Sequence, residues 1–102
     1  MGVQRWNSDE DGPLTEQAVR AKLEELGYSV ARYDYPPGTY FPPHQHDVDK
    51  IAAVLDGRFR LAMEGYEVVL GAGDWLEVPR GTVHSAEVVG DATVVSLDAV
   101  RR

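Results

Sequence analysis

From Tyr28 onward the chain consists of short apolar segments that glycine and proline residues separate at nearly regular intervals. Arg58–Met63 shows the pattern most clearly, because its side chains alternate with the period of two that a β-strand requires. Glu64-Gly65 then supplies a two-residue hairpin turn. Seven or eight strands at this spacing predict an all-β fold, an antiparallel sandwich or barrel. The expected strands are Tyr28–Tyr35, Thr39–His46, Lys50–Leu55, Arg58–Met63, Tyr66–Leu70, Trp75–Val78, Ser85–Val89 and Ala92–Val100.

One short amphipathic helix is expected before the strands, over Leu14–Leu26. Apolar residues recur there at helical spacing, and charged residues cover the opposite side. Thr15 or the preceding Pro13-Leu14 pair can start the helix, and Gly27 is a natural C-terminal stop. Residues 1–13 are polar and are expected to form a loose arm. Trp6 is the exception, and we interpret it as a surface anchor on this subunit or on a partner.

The segment Lys50–Leu55 is apolar on both faces, with Ala52 and Val54 on one side and Ile51, Ala53 and Leu55 on the other. A strand with one wet face should alternate. We therefore expect this strand to be covered on its outer face by the helix or by a second subunit. A homodimer through that face is the predicted assembly.

Composition narrows the class of protein further. The 102 residues suffice for one domain, and the absence of cysteine excludes disulfides, zinc–thiolate sites and cysteine nucleophiles. It also fits a reducing cytoplasm. The net charge of −7 argues against nucleic acid or an anionic membrane as a partner. No apolar run approaches the roughly 20 residues that cross a bilayer, and the first residues lack the apolar segment of a signal peptide.

The three histidines of the chain point to a metal centre. His44 and His46 are two residues apart, so a strand would turn both imidazoles to the same face. His84 follows a turn that Pro79 and Gly81 impose. Three imidazoles are a common set of ligands for a transition metal that keeps one position open. On the same parity argument Tyr40 and Pro42 lead the pocket wall, and Phe41 lies on the opposite face.

Two spaced motifs contain these histidines. Gly38 to Gly57 reads G-x5-H-x-H-x3-K-x6-G, and Gly73 to His84 reads G-x5-P-x-G-x2-H, about 15 residues further on. In this order and spacing they resemble the first and second motifs of the cupin superfamily. The resemblance covers about residues 35–90 and implies a jelly-roll β-barrel, which we expect at 28–100. With the helix at 14–26, the barrel is expected to form a single cupin-like domain over residues 14–102. It also implies a metal that histidines hold inside.

The sequence departs from the family pattern at two positions. Lys50 stands where cupins typically have a glutamate, which is their fourth metal ligand, and Val88 stands where an asparagine is usual. By the resemblance, His44, His46 and His84 remain as a three-histidine ligand set. This is similar to the cupins that bind metal through imidazoles alone, such as the thiol and diketone dioxygenases. The metal would be a divalent transition ion, namely Fe, Zn, Ni, Cu or Co.

In a continuous strand, Lys50 would lie on the same inward face as His44 and His46. Three interpretations of its role are open. Its ammonium could make the pocket positive, which would favour an anionic ligand. Burial beside the metal could instead leave it uncharged, and it would then act as a general base, the candidate catalytic residue. In the third interpretation its stem carries the charge outward to a surface carboxylate, and Lys50 only packs.

Two functions from different classes follow. The first is a metal-dependent enzyme that acts on a small anionic or carbonyl compound, as a dioxygenase or an isomerase. The second is a non-catalytic module that binds a small, sugar-like molecule, similar to the sensor domain of sugar-responsive regulators. Both have a small-molecule ligand as partner.

Overall fold

Alternation in the strands places their apolar side chains between two antiparallel sheets in the computed structural model, which describes residues 2–101. One sheet has the order β1-β7-β4-β9-β2 and the other β3-β8-β5-β6. The strands are β1 (Gln4–Arg5), β2 (Ser29–Tyr35), β3 (Tyr40–His44), β4 (Asp49–Asp56), β5 (Phe59–Met63), β6 (Tyr66–Leu70), β7 (Asp74–Val78), β8 (His84–Val88) and β9 (Val94–Arg101). The helices are α1 (Ser8–Asp11) and α2 (Glu16–Glu25).

The predicted all-β jelly-roll fold is confirmed, with one refinement. The strands form two facing sheets and not one hydrogen-bonded ring, so the molecule is a jelly-roll sandwich. A core of buried apolar side chains lies between the sheets, with Leu61 and Met63 of β5, Val54 of β4 and Leu76 of β7 among its members. The Glu64-Gly65 turn has the positive φ angles of 50° and 80° that a type I′ hairpin requires.

Helix α2 covers the outer face of the five-stranded sheet. Its N-cap is Thr15, whose side chain accepts a hydrogen bond from the Ala18 N–H at 3.1 Å, and the chain turns at Gly27 with φ 93°. Val19 and Leu23 of α2 pack on Ile51 and Ala53 of β4 together with Leu97 and Ala99 of β9. The helix therefore explains why β4 has apolar side chains on both of its faces. No helix within residues 2–101 is long and apolar enough to cross a membrane.

The N-terminal arm is more ordered than the expected loose segment. β1 pairs with β7 through Gln4 and Trp75, and α1 follows it. The indole of Trp6 donates to the carbonyl of Gly12 at 2.8 Å and packs on the cluster under α2. Trp6 therefore anchors the arm on its own subunit. A two-residue strand and a four-residue helix are too short for periodicity to reveal them.

Candidate metal centre

The three histidines come together between the sheets although they lie on different segments. His44 ends β3 and His84 begins β8, and the two are direct cross-strand partners. His46 lies two residues beyond the end of β3 and not within a strand as expected. Its carbonyl accepts a hydrogen bond from the Gly81 N–H at 2.9 Å, which ties the loop after β3 to the turn before β8. One nitrogen from each of the three rings lies within 4.8 Å of the other two.

Hydrogen bonds set the tautomers of two of these rings. His44 Nδ1 lies 2.6 Å from the carbonyl oxygen of Pro42, and His84 Nδ1 lies 2.9 Å from that of Thr82. A carbonyl oxygen can only accept, so each Nδ1 carries the proton. The Nε2 lone pairs are then free. A metal-binding histidine almost always donates its other N–H in this way, so these residues fit a transition metal.

Burial keeps two of the imidazoles neutral near pH 7. It lowers the pKa of His46, and the neighbouring ammonium of Lys50 lowers it further. Burial also lowers the pKa of His84, although its hydrogen bond to the Thr82 carbonyl works in the opposite direction. Neutral imidazole is the form that binds a metal ion, so the environment favours binding over protonation.

The histidines open into a cavity of about 200 Å³ between the sheets. Its wall is mainly apolar and includes Phe41, Phe59, Leu61 and Val78. The position of Phe41 contradicts the parity prediction, because a register shift between Phe41 and His44 lets both side chains face inward. The same shift leaves Tyr40 57% exposed, where the sequence predicted a pocket residue. Pro42 and Pro43 occupy this bulge and have no N–H for a regular ladder.

Lys50 also lines the cavity, and its partner is a carboxylate of the neighbouring strand. The ammonium nitrogen lies 2.9 Å from Asp98 Oδ2, and the two side chains are only 18% and 26% exposed. This pair differs from the third interpretation of Lys50, which sent its charge to a surface carboxylate. Asp49, a nearer acid along the chain, accepts instead from the Arg80 N–H at 2.9 Å.

Asp98 is the residue of the site that the sequence analysis missed. It faces Ala52 across the β4–β9 pair and shares its parity with buried Val94 and Ser96. Leu97 and Ala99 on the opposite parity lie under α2. The signal available in the sequence was a single acid inside the predicted final strand Ala92–Val100, which is otherwise uncharged. Its meaning depends on the pairing of β9 with β4, which the sequence alone does not reveal.

These features define a class of protein, a jelly-roll sandwich with a histidine cluster in the cavity between its sheets. Residues 31–100 match the Cupin_2 family model, described as Cupin domain, and the chain belongs to this family. The fold and the family that the two motifs predicted are therefore confirmed.

Individual relatives agree with this assignment. Germin-like protein 5-1 from Oryza sativa subsp. japonica is 34% identical over 83 residues, which are 76% of this chain and 38% of that protein. The structure of the DMSP lyase DddQ from Ruegeria pomeroyi DSS-3 is similar with a TM-score of 0.63 and 34% identity, and the match covers 72% of this chain and 39% of that one. KdgF from Halomonas sp. is similar with a TM-score of 0.64, 28% identity and coverage of 74% and 70%. The chain spans about two fifths of the length of the germin-like relative.

Proposed function

We propose that this chain is a metal-dependent cupin enzyme in which His44, His46 and His84 bind one divalent transition metal. The observation that carries the proposal is the convergence of three ring nitrogens within 4.8 Å at the cavity between the sheets. Fe, Zn, Ni, Cu and Co all suit a donor set of imidazoles. When bound, such an ion supplies Lewis acidity to a carbonyl or carboxylate oxygen of the ligand.

The substrate that suits this cavity is a small anionic or carbonyl compound. A volume of about 200 Å³ is below the roughly 300–1,000 Å³ of pockets for drug-sized ligands. The apolar wall that includes Phe59 and Val78 would remove water from the side of the compound that packs on it. In such surroundings charges act more strongly than they do in water.

Of the two reaction types considered, isomerisation by proton transfer is favoured over dioxygenation, because Asp98 and Lys50 line the same cavity. The Asp98 carboxylate would take a proton from the carbon next to the carbonyl. The electron pair of that C–H bond moves towards the carbonyl oxygen, whose negative charge a bound metal ion would stabilise, while the Lys50 ammonium holds the Asp98 carboxylate in place. Return of the proton at another atom completes an isomerisation with no change in composition. The similarity to the DMSP lyase DddQ supports this choice of non-oxidative chemistry.

Solvent isotope exchange tests this reaction type. The metal-loaded protein is incubated in D₂O with a panel of small 2-oxo and 3-oxo acids, and NMR follows deuterium entering the carbon next to the carbonyl. We expect exchange with at least one acid, and its loss in Asp98→Asn with metal content unchanged. Oxygen uptake without exchange would contradict the proposed reaction and favour a dioxygenase.

The second candidate function is a non-catalytic binding module for a sugar-like molecule. The same cavity would serve it, but an apolar wall offers few partners for the many hydroxyl groups of a sugar. Binding without metal, with equal affinity in parent and His84→Gln proteins, would favour this function over the enzyme.

We also propose a homodimer and a cytoplasmic location. The apolar outer face of β4 that suggested the dimer lies under α2, so a dimer would use another surface. Edge strand β2 is one such surface, since it pairs with β9 on one side and Tyr33 is 48% exposed. Light scattering at several concentrations measures the assembly, and cell fractionation measures the location.

A further inference from the structure

The ion pair between Lys50 and Asp98 lies at the cavity that contains the three histidines. The first interpretation of Lys50 made the pocket positive and suited to an anion. The carboxylate at 2.9 Å neutralises that lysine, so the cavity has a polar pair without net charge beside the imidazoles.

An internal ion pair restricts which ligand group can lie against it. The ammonium has three donors and the carboxylate about four acceptor sites, so one contact between them leaves capacity on both. A ligand anion placed there would be repelled by Asp98, and a ligand cation by Lys50. An apolar group would leave the remaining donors and acceptors unsatisfied once the cavity is dry. A hydroxyl group accepts from the ammonium and donates to the carboxylate, and so satisfies both.

Resting on the proposed function, we propose that the ligand is a small hydroxy acid or hydroxy ketone whose hydroxyl group bridges Lys50 and Asp98. Its carboxylate or carbonyl oxygen is the group directed to the metal centre.

The remaining wall defines the body of this ligand. The ring of Tyr35 lies 5.1 Å from that of Phe41 and 5.4 Å from that of Phe59, so three aromatic side chains form one continuous surface. All three line the cavity together with Leu61 and Val78. An aromatic or branched apolar group of the ligand packs on this surface, and the cavity volume of about 200 Å³ keeps the whole molecule small.

The test compares two probes that differ by one hydroxyl group, mandelate and phenylacetate, in calorimetric titrations of the zinc-loaded protein. We expect mandelate to bind about tenfold more tightly or better, because a site built for a hydroxyl group rejects the analogue that lacks it. In Lys50→Met/Asp98→Leu this preference should disappear. Arg60→Met/Glu87→Leu is the matched control, because it removes a cross-strand ion pair of the other sheet that lies outside the cavity lining, and it should keep the preference.

The result that overturns the inference is an equal preference for mandelate in the parent and in Lys50→Met/Asp98→Leu, since the hydroxyl group would then bind the metal. Absence of a preference in the parent would overturn it as well. If the double variant does not fold, Asp98→Asn replaces it, and the preference should fall about threefold or more because a charge-assisted hydrogen bond is lost. Zinc content is measured first. Failure to hold zinc counts against the proposed function, while the same titrations on metal-free protein still test the ion pair.

Discussion

His44 on β3 and His84 on β8 are direct cross-strand partners, and their ring centroids lie 4.3 Å apart. The pairing of two strands therefore fixes two of the three imidazoles relative to each other. His46 depends on a loop, which the turn at Pro79–Thr82 holds through the hydrogen bond from Gly81. The same turn is held by Asp49, which accepts from the Arg80 N–H. The centre is thus held by strand pairing on one side and by one turn, through two hydrogen bonds, on the other.

Asp49 should influence the centre without touching it. Asp49→Ala removes the acceptor for the Arg80 N–H and loosens the turn between His46 and His84. We expect zinc affinity to fall about threefold or more, somewhat less than the 10–100-fold typical of residues that contact a ligand directly. Competition with a chelator of known affinity measures the zinc affinity of each variant. Exposed Asp47 is the control, and an equal loss in Asp47→Ala would show only a charge effect.

Lys50→Glu places a carboxylate where most cupins have their fourth ligand. We expect zinc to bind about tenfold more tightly or better, which corresponds to about 1.4 kcal/mol. Without metal the variant should melt at a lower temperature, because Glu at position 50 would lie beside Asp98. Lys50→Met controls for loss of the positive charge alone. Unchanged zinc affinity in Lys50→Glu would place the side chain away from the metal.

The sequence predicts the features of this site that depend on residues near each other along the chain. It does not predict those that depend on the pairing of distant strands. Local signals were sufficient for the hairpin at Glu64-Gly65, for α2 and for the inward face of Lys50. Parity failed at Phe41, because a bulge inserted between Phe41 and His44 reverses the face of every residue before it. Asp98 was missed for a different reason. Its role comes from the register between β4 and β9, which tertiary packing sets and local periodicity does not contain.

Tyr35 should make the protein sensitive to alkali. Burial raises the pKa of Tyr35 to about 12, and the charge of Asp98 acts in the same direction. In the unfolded chain tyrosine ionises near pH 10, so the stability that this group contributes is complete below pH 10 and is lost towards pH 12. Denaturant unfolding across this range should show a smaller loss in Tyr35→Phe than in the parent. An identical loss would contradict the assignment, and Tyr33→Phe, which removes an exposed hydroxyl, should behave as the parent.

Leu23 tests whether α2 is an integral cover of the sheet. It is 0% exposed and packs on β4 and β9, so Leu23→Ala should lower the free energy of unfolding by about 2–5 kcal/mol. Leu26 in the same helical region is 50% exposed, and Leu26→Ala should change it by no more than about 0.5 kcal/mol. Equal effects in urea denaturation would mean that α2 is not packed as described.

The measurement that tests the account most directly is the metal content of the purified chain by elemental analysis, made without nickel or chelators in the preparation. Convergence of His44, His46 and His84 predicts about one divalent transition metal per chain, its loss in His46→Ala and in His84→Ala, and no change in Asp47→Ala. Metal-free parent protein that also fails to take up added zinc, iron, nickel, copper or cobalt would contradict the central claim. Equal metal content in the parent and both histidine variants would contradict it as well.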